Sequence, residues 1–99
     1  MLMKNLATSF IIHETITTTV AKAKLLRSYA ERLITLAGAD NLAARRRAIT
    51  KLTDKKAVDK LFAILGPKFK SRQGGYTRIR RSTRRVGDAS EQAVISLVE

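Results

Sequence analysis

The sequence predicts one α+β domain with a small sheet covered by helices. Its 99 residues, 44% of them hydrophobic, suffice for one compact core and leave no room for a second. Apolar residues at helical spacing alternate with short β-branched or apolar runs, as expected for a mixture of helices and strands. No internal repeat or long linker divides the chain, so residues 1–99 are expected to form a single domain.

Seven elements are predicted, in the order α-β-α-α-α-β-β. The first helix follows from apolar residues at the i, i+3, i+4, i+7 spacing of one helical face, namely Met3, Leu6, Ala7 and Phe10. The helices are expected at about 2–13, 20–37, 41–51 and from Thr53 or Asp54 to 65, and the strands at about 15–19, 76–81 and 93–98.

The ends and faces of these elements carry further signals. A threonine at the end of the first strand can cap the second helix. Gly38 is expected to end the second helix, and Gly66 with Pro67 the fourth, because glycine favours the position after a helix and proline cannot continue one. The last strand is apolar enough to be buried on both sides. The apolar positions expected to pack from the third and fourth helices are Leu42, Ile49, Leu52, Val58, Leu61, Phe62 and Leu65.

The charge of the chain indicates a polyanionic partner. Twenty Lys and Arg against eight Asp and Glu give a net charge of +12 and a pI near 11. Such a charge destabilises a compact state through self-repulsion unless a polyanion compensates it. The chain has no cysteine, no apolar run long enough to span a bilayer, and no secretory signal at its start, all of which fit a reduced, cytosolic protein.

The segment 66–86 is the main functional signal, because it holds eight basic residues and no acid. Arginine offers a planar fork of donors that matches phosphate oxygens. If the segment forms a strand, Arg78 and Arg80 project to one face while Ile79 and Arg81 project to the other. We interpret it as a nucleic-acid contact, with a plain solvated surface as the alternative; its cations are Lys68, Lys70, Arg72, Arg78, Arg80, Arg81, Arg84 and Arg85.

Two further motifs have two interpretations each. Gly74 and Gly75 can permit close approach of a ligand while Tyr76 stacks on an unpaired base, or they can form a loop that leads Tyr76 into the sheet. The triplet 45–47, three arginines, covers about half the circumference of a helix and either contacts phosphates or forms an ordinary exposed face. A phosphate-binding P-loop is excluded because no Gly-Lys-Ser/Thr follows the glycines.

No set of residues predicts catalysis or metal binding. His13 is the only histidine, and Thr17 stands where a zinc protease of the His-Glu-x-x-His type would need a second one. Without cysteine or a second histidine there is no usual nucleophile–base pair, and the acids show no paired spacing. We therefore expect a structural His13 or one that touches RNA, and no enzyme activity, cofactor, metal or small-molecule substrate.

Two stretches carry a resemblance to a known family. Residues 12–37, IHETITTTVAKAKLLRSYAERLITLA, and residues 65–88, LGPKFKSRQGGYTRIRRSTRRVGD, resemble the two signatures of the L-seventeen family of bacterial large-subunit ribosomal proteins. The ending VISLV is similar to the final strand of that family. The pattern R-x-G-G-Y-T-R-I followed by R-x-G-D is far more specific than a basic run, and the resemblance covers nearly all of the chain.

The resemblance implies an α+β domain of two layers with a small three-stranded mixed sheet. It also implies a structural role on large-subunit ribosomal RNA near the nascent-chain exit, beside neighbouring large-subunit proteins, in the cytoplasm or an organelle. By matching position it implies RNA-facing candidates at Lys22 and Lys24, at Arg45, Arg46 and Arg47, and from Arg72 to Arg85. The family usually begins with a strongly basic extension, which is expected to be absent here because the chain opens at Met1-Leu2-Met3.

Two functions of other classes remain as alternatives. A free DNA-binding regulator or nucleoid-type protein would insert the helix that carries the three arginines into a major groove. The densest charge, however, is predicted on a loop and strand instead of on that helix. An RNA-directed enzyme lacks any plausible catalytic set. Co-sedimentation with large subunits would favour the ribosomal interpretation, and a palindromic DNA footprint would favour the regulator.

Overall fold

The computed structural model describes residues 2–39, 41–72, 74–81 and 92–98, and confirms the α+β class. Its elements, in chain order, are α1 (Leu2–His13), β1 (Thr15–Thr19), α2 (Val20–Ala39), α3 (Leu42–Lys51), α4 (Lys55–Lys60), a π-helical turn (Leu61–Leu65), α5 (Gly66–Lys68), β2 (Thr77–Arg81) and β3 (Gln92–Leu97).

The sheet is entirely antiparallel, so the prediction of a mixed sheet is wrong. The strand order is β1-β3-β2, and β3 pairs antiparallel with both neighbours. Ile95 at the centre of β3 lies opposite Ile16 on one side and Ile79 on the other. The last strand in the chain lies between the other two and runs in the opposite direction to both of them. Both pairings in the sheet are therefore antiparallel.

Strand β3 is buried on one face and half-buried on the other, so it is not buried on both sides as predicted. Ala93, Ile95 and Leu97 alternate with the half-buried Val94 and Ser96. Because paired residues of an antiparallel sheet point to the same face, this alternation extends across all three strands. The sheet therefore has a core face and an outward face.

Helix α2 covers the core face and contacts all three strands. Its buried residues recur every three or four positions, as one stripe of a helix requires, and they pack in one cluster with Phe10 and Ile11 of α1. The side chain of Thr19 caps α2 by accepting a hydrogen bond from the backbone N–H of Lys22 at 3.3 Å, as predicted. Gly38 does not end the helix, which continues to Ala39.

Residues 55 to 68 form one continuous helical stretch. Asp54 caps it by accepting from the N–H of Lys56 at 2.9 Å, and the predicted buried face, which includes Leu61, Phe62 and Leu65, is confirmed. The stretch does not end at Gly66: that residue has right-handed helical angles (φ −57°, ψ −54°), and the helix continues to Lys68. Pro67 lies directly after the π turn, in the first turn of α5, a position at which helices tolerate proline.

Helix α3 buries small residues. Its N-cap is Asn41, whose side chain accepts from the N–H of Ala44 at 2.8 Å. Ala44 and Ala48 form its buried face, whereas Leu42 and Ile49, expected to pack, are 64% and 59% exposed. Because alanine allows close approach, α3 can lie near α2 while its larger side chains point outward.

Candidate nucleic-acid interface

A basic groove lies where the sheet meets the end of the long helical stretch. It has a volume of about 530 Å³ and is lined by His13, Glu14, Thr15, Lys68, Arg72, Arg78, Ser96, Leu97 and Val98. Lys68 and Arg72 reach it from the end of the helical stretch and Arg78 from β2, so two parts of the predicted basic segment converge there. Three cations around one groove are suited to bind phosphate oxygens.

The acid in the groove is neutralised by a lysine from outside its lining. Nζ of Lys60 lies 2.8 Å from a carboxylate oxygen of Glu14 and donates to the carbonyl of Ile12 at 2.8 Å. Glu14 adopts a left-handed backbone conformation (φ 65°), and its carbonyl accepts from the N–H of Leu97 at 3.1 Å. This joint fixes α1 to the sheet, and Lys60 compensates the charge of Glu14, the one acid among the described residues that line the groove.

The outward face of the sheet continues the groove. Arg78 and Arg80 are exposed and lie opposite Ser96 and Val94 of β3, which in turn lie opposite Thr15 and Thr17 of β1. This face thus carries two cations on one edge strand and hydroxyl groups on the other two strands. Guanidinium groups and hydroxyl groups both bind phosphate oxygens and sugar hydroxyls. Arg81 is exposed at the end of β2, and the predicted candidates Arg84 and Arg85 lie outside the described residues.

Strand β2 is fixed to α2 by an acid that the sequence did not single out. Oε2 of Glu31 accepts from the N–H of Thr77 at 3.3 Å and from its hydroxyl at 2.9 Å. Nε of Arg27, one turn earlier, lies 3.8 Å from the same oxygen. Thr77 is buried and Glu31 half-buried, so this contact sets the position from which Arg78 and Arg80 project.

Tyr76 is buried, which favours its packing on the sheet over its stacking on an unpaired base. Its side chain is 4% exposed, and its ring lies 5.3 Å from that of Phe69. Its hydroxyl donates to the carbonyl of Arg72 at 3.0 Å, so the hydroxyl of Thr35, 3.1 Å away, is the donor of their shared bond. Tyr76 therefore holds the backbone of Arg72 against α2 and positions the groove indirectly.

Gly74 and Gly75 are required by backbone conformation. Both have positive φ, 84° and 66°, which glycine adopts without steric cost. A Cβ atom on either would meet no atom within 4 Å, so space alone does not demand glycine. The two residues turn the chain from the helical end into β2. Gly74 also lines a cavity of about 460 Å³ together with Lys70, Arg72 and Tyr76.

The three arginines of α3 are exposed but point in different directions. The guanidinium of Arg45 lies over the ring of Phe62 at 4.9 Å, a cation–π contact with the long helical stretch. Arg47 lies on the opposite side, in a cleft shared with α2. Arg46 is exposed between them. The triplet therefore does not present one cationic surface, and Arg45 has a packing role.

Lys22 and Lys24 lie near the start of α2 and are exposed. Thr19, just before this helix, pairs with Gln92, whereas the groove lies beside Thr15 at the other end of β1. The two lysines are therefore some 10 Å or more from the groove, given about 3.3 Å per strand residue. Lys70 is exposed and lines the cavity beside Gly74 instead of the groove. The ammonium of Lys68 lies over the ring of Phe69 at 5.3 Å.

Sequence reasoning missed Arg32 and Lys51, which share the α2–α3 cleft with Arg47. Arg32 follows Tyr29 by three residues and precedes Leu36 by four, so the three lie on one face of the helix. This spacing was the signal in the sequence that could have placed Arg32 beside an apolar surface. Lys60 was also missed, and nothing in the sequence distinguishes it from other lysines. Within the described ranges, no three His, Asp or Glu side chains group as a metal site, and no helix is long and apolar enough to cross a membrane.

The fold and this surface define a class: a small α+β domain whose cationic groove and sheet face suit a polyanion. The family model described as Ribosomal protein L17 matches residues 2–98. The chain belongs to this family, as the resemblance predicted.

Curated relatives agree with this assignment. The chain is 51% identical over 98 residues to the large ribosomal subunit protein bL17 of Natranaerobius thermophilus, an alignment covering 99% of this chain and 87% of that relative. It is 52% identical over 99 residues to the protein of the same name from a Hydrogenobaculum species, covering 99% and 84%. The relative from Geobacter metallireducens is 51% identical over 98 residues, covering 99% of this chain and 55% of that protein. The chain thus spans between about half and nearly nine tenths of the length of these relatives.

Proposed function

We propose that this protein is a structural constituent of the large ribosomal subunit and binds ribosomal RNA through the basic groove and the outward face of the sheet. Family membership and the names of its relatives support the ribosomal part. The convergence of Lys68, Arg72 and Arg78 on one groove supports the RNA-binding part and is the single observation that carries it. The location near the nascent-chain exit, beside other large-subunit proteins in the cytoplasm, rests on the resemblance alone.

Binding is electrostatic and geometric. Lysines and arginines displace counterions from phosphates, which gives affinity that does not depend on sequence. Shape then selects the RNA, because A-form RNA hides its base edges in a deep groove and displays its backbone and 2′-hydroxyls. Thr15 and Thr17 offer hydroxyls to that backbone on the same face as Arg78 and Arg80, from the opposite edge strand of the sheet. No proton transfer or bond cleavage is required of any residue.

The proposal includes the two-layer arrangement. The helices would form one layer on the core face of the sheet, and RNA would cover the other face. The exposure of Thr15, Thr17, Arg78 and Arg80 on the outward face supports this arrangement, as does the packing of α1 and α2 on the core face.

The alternative of a DNA-binding regulator gains no support from the position of α3. A recognition helix presents several side chains together to base edges in the major groove. Here Arg45 lies over Phe62 and Arg47 lies in a cleft with α2. Only Arg46 of the triplet points away from both neighbours.

The test is binding to purified large-subunit ribosomal RNA and to random duplex DNA, titrated across salt. We expect a preference for the ribosomal RNA that survives increasing salt. Arg72→Gln with Arg78→Gln should lower the slope of log affinity against log salt by about two units, because each phosphate contact contributes about 0.9. Lys55→Gln with Lys56→Gln, two exposed lysines of α4 outside the groove, is the charge-matched control. Equal binding to both nucleic acids, or equal effects of the two double variants, would contradict the proposal.

A further inference from the structure

A second cationic site lies between α2 and α3. The cleft has a volume of about 300 Å³ and is lined by Tyr29, Arg32, Leu33, Leu36, Arg47, Thr50 and Lys51. Three of these residues are cations, and no acid lines the cleft among the residues that the structure describes. Leu33 is buried at the bottom, and Tyr29 and Leu36 are half-buried. The cleft therefore combines an apolar floor with a positively charged rim.

One hydrogen bond joins the two walls of the cleft, and a second lies within the α3 wall. The hydroxyl of Tyr29 on α2 donates to the carbonyl of Lys51 at the end of α3 at 2.6 Å. The hydroxyl of Thr50 donates to the carbonyl of Arg47 at 2.7 Å. Burial raises the pKa of Tyr29 above its ordinary value of 10.0, so the phenol keeps the proton it donates. The bond between Tyr29 and Lys51 thus joins the two helices, with Arg32 of α2 and Arg47 of α3 both lining the cleft.

The cleft and the groove occupy different sides of the domain. Their linings share no residue. On α2, Glu31 and Thr35 contact β2 and Tyr76, next to the groove, whereas Arg32 and Leu36 line the cleft. Arg32 directly follows Glu31, and Leu36 directly follows Thr35. One residue corresponds to a rotation of about 100° around the helix, so the two pairs lie on different faces of α2. One straight stretch of backbone is therefore unable to follow both surfaces.

The chemistry of the cleft fits the backbone of RNA. Guanidinium groups bind phosphate oxygens through paired donors, and the ammonium of Lys51 adds a third charge. The apolar floor formed by Leu33, Leu36 and Tyr29 gives sugar or base surface a place to pack. An acidic protein segment could also bind these cations. RNA is the simpler occupant, because the groove of the same domain is already assigned to RNA.

We propose that the α2–α3 cleft binds the phosphate backbone of a second RNA segment, so that the domain joins two segments, one in the groove and one in the cleft. The inference rests on the proposed function, because the first segment is the one assigned to the groove. Arg32, Arg47 and Lys51 hold the second segment. Binding at both surfaces compensates more of the net charge of +12 than either surface does alone.

The experiment measures bridging. One short RNA duplex is immobilised, the full-length protein is added, and capture of a second, fluorescent copy of the duplex is recorded across protein concentration. Three double variants each remove two charges: Arg32→Gln with Arg47→Gln in the cleft, Arg72→Gln with Arg78→Gln in the groove, and Lys55→Gln with Lys56→Gln as the control. Thermal unfolding establishes that each variant is folded, and binding of one duplex is measured in parallel.

We expect the wild-type protein and the control variant to capture the second duplex. The cleft variant and the groove variant should each lose about tenfold or more of this capture while still binding a single duplex through the remaining surface. Capture by the cleft variant equal to that of the control would overturn the inference and leave an acidic protein segment as the occupant of the cleft. A groove variant that binds and bridges like the control would instead overturn the proposed function, so the two failures are distinguishable.

Discussion

Gly66 lies against the backbone of Ala37, and a Cβ atom on it would be 2.8 Å from the Ala37 carbonyl oxygen and 3.1 Å from the carbonyl carbon. The contact joins the long helical stretch to the end of α2. Because the opposing atoms are backbone, they are unable to rotate away as a flexible side chain would. The glycine is thus required by close approach, and its helical φ of −57° makes no demand for it.

Gly66→Ala should lower the free energy of unfolding by about 1–3 kcal/mol, the usual cost of overpacking. The clash must outweigh the gain of about 1 kcal/mol that alanine ordinarily brings to a helix. Gly38→Ala is the matched control, because Gly38 is also helical and a Cβ atom there meets nothing within 4 Å. Denaturant unfolding should show the two substitutions shifting stability in opposite directions. Stabilisation by both would show that α2 and the helical stretch can move apart.

The sequence predicts the helical and strand segments well because periodicity and caps are local. It does not predict what Gly66 does, since glycine before proline is also the ordinary signal of a helix end. Only the contact with Ala37, 29 positions earlier, distinguishes the two roles. The sheet was mispredicted as mixed for a similar reason, because strand order depends on long-range pairing and not on any local pattern.

Leu61→Ala should destabilise the protein by about 2–5 kcal/mol, because Leu61 is fully buried and its loss leaves a cavity. Ile64→Ala, three residues later, is the control: Ile64 is 53% exposed, and its replacement should change stability by about 0.5 kcal/mol or less. Equilibrium unfolding in urea measures both. Equal losses of stability would mean that the π turn does not place Leu61 in the core and Ile64 at the surface.

Thr8→Val should cost about 1–3 kcal/mol although the two side chains have nearly the same shape. The hydroxyl of Thr8 donates to the carbonyl of Lys4 at 2.8 Å and accepts from the N–H and hydroxyl of Thr53 at 2.9 and 3.1 Å. Valine would leave these groups without their partner beside the core. Thr50→Val, at an exposed hydroxyl, should have little effect on unfolding. A neutral Thr8→Val would indicate that water replaces the lost bonds.

Tyr76→Phe separates packing from RNA contact. The ring stays on Phe69, but the hydroxyl bonds with Thr35 and Arg72 are lost, so stability should fall by about 1 kcal/mol. Affinity for ribosomal RNA at fixed salt should fall only slightly, because the buried ring makes no RNA contact and the substitution only loosens the Arg72 backbone. A large loss of affinity in a variant of unchanged stability would restore the role in RNA contact that the sequence left open.

The candidate site was predictable in composition but not in arrangement. The absence of acids from 66–86 identifies the segment that lines the groove. The convergence of Arg72 with Arg78 depends on Tyr76, whose hydroxyl holds the Arg72 carbonyl, and on Glu31, which fixes Thr77. Both are single residues whose partners lie in the tertiary structure, and no local pattern indicates them. Position in the fold likewise separates Arg45, over Phe62, from Arg47 in the cleft.

Arg80→Ala tests the outward face of the sheet independently of the groove. Arg80 is exposed opposite Val94, two residue pairs along the strand from Arg78 and Ser96, and it does not line the groove. If it neutralises one phosphate, the slope of log affinity for ribosomal RNA against log salt should fall by about 0.9. Lys55→Ala, which removes one exposed charge from α4, should leave the slope unchanged. A wild-type slope for Arg80→Ala would show that Arg80 is solvated in the complex and that RNA contacts end at the groove.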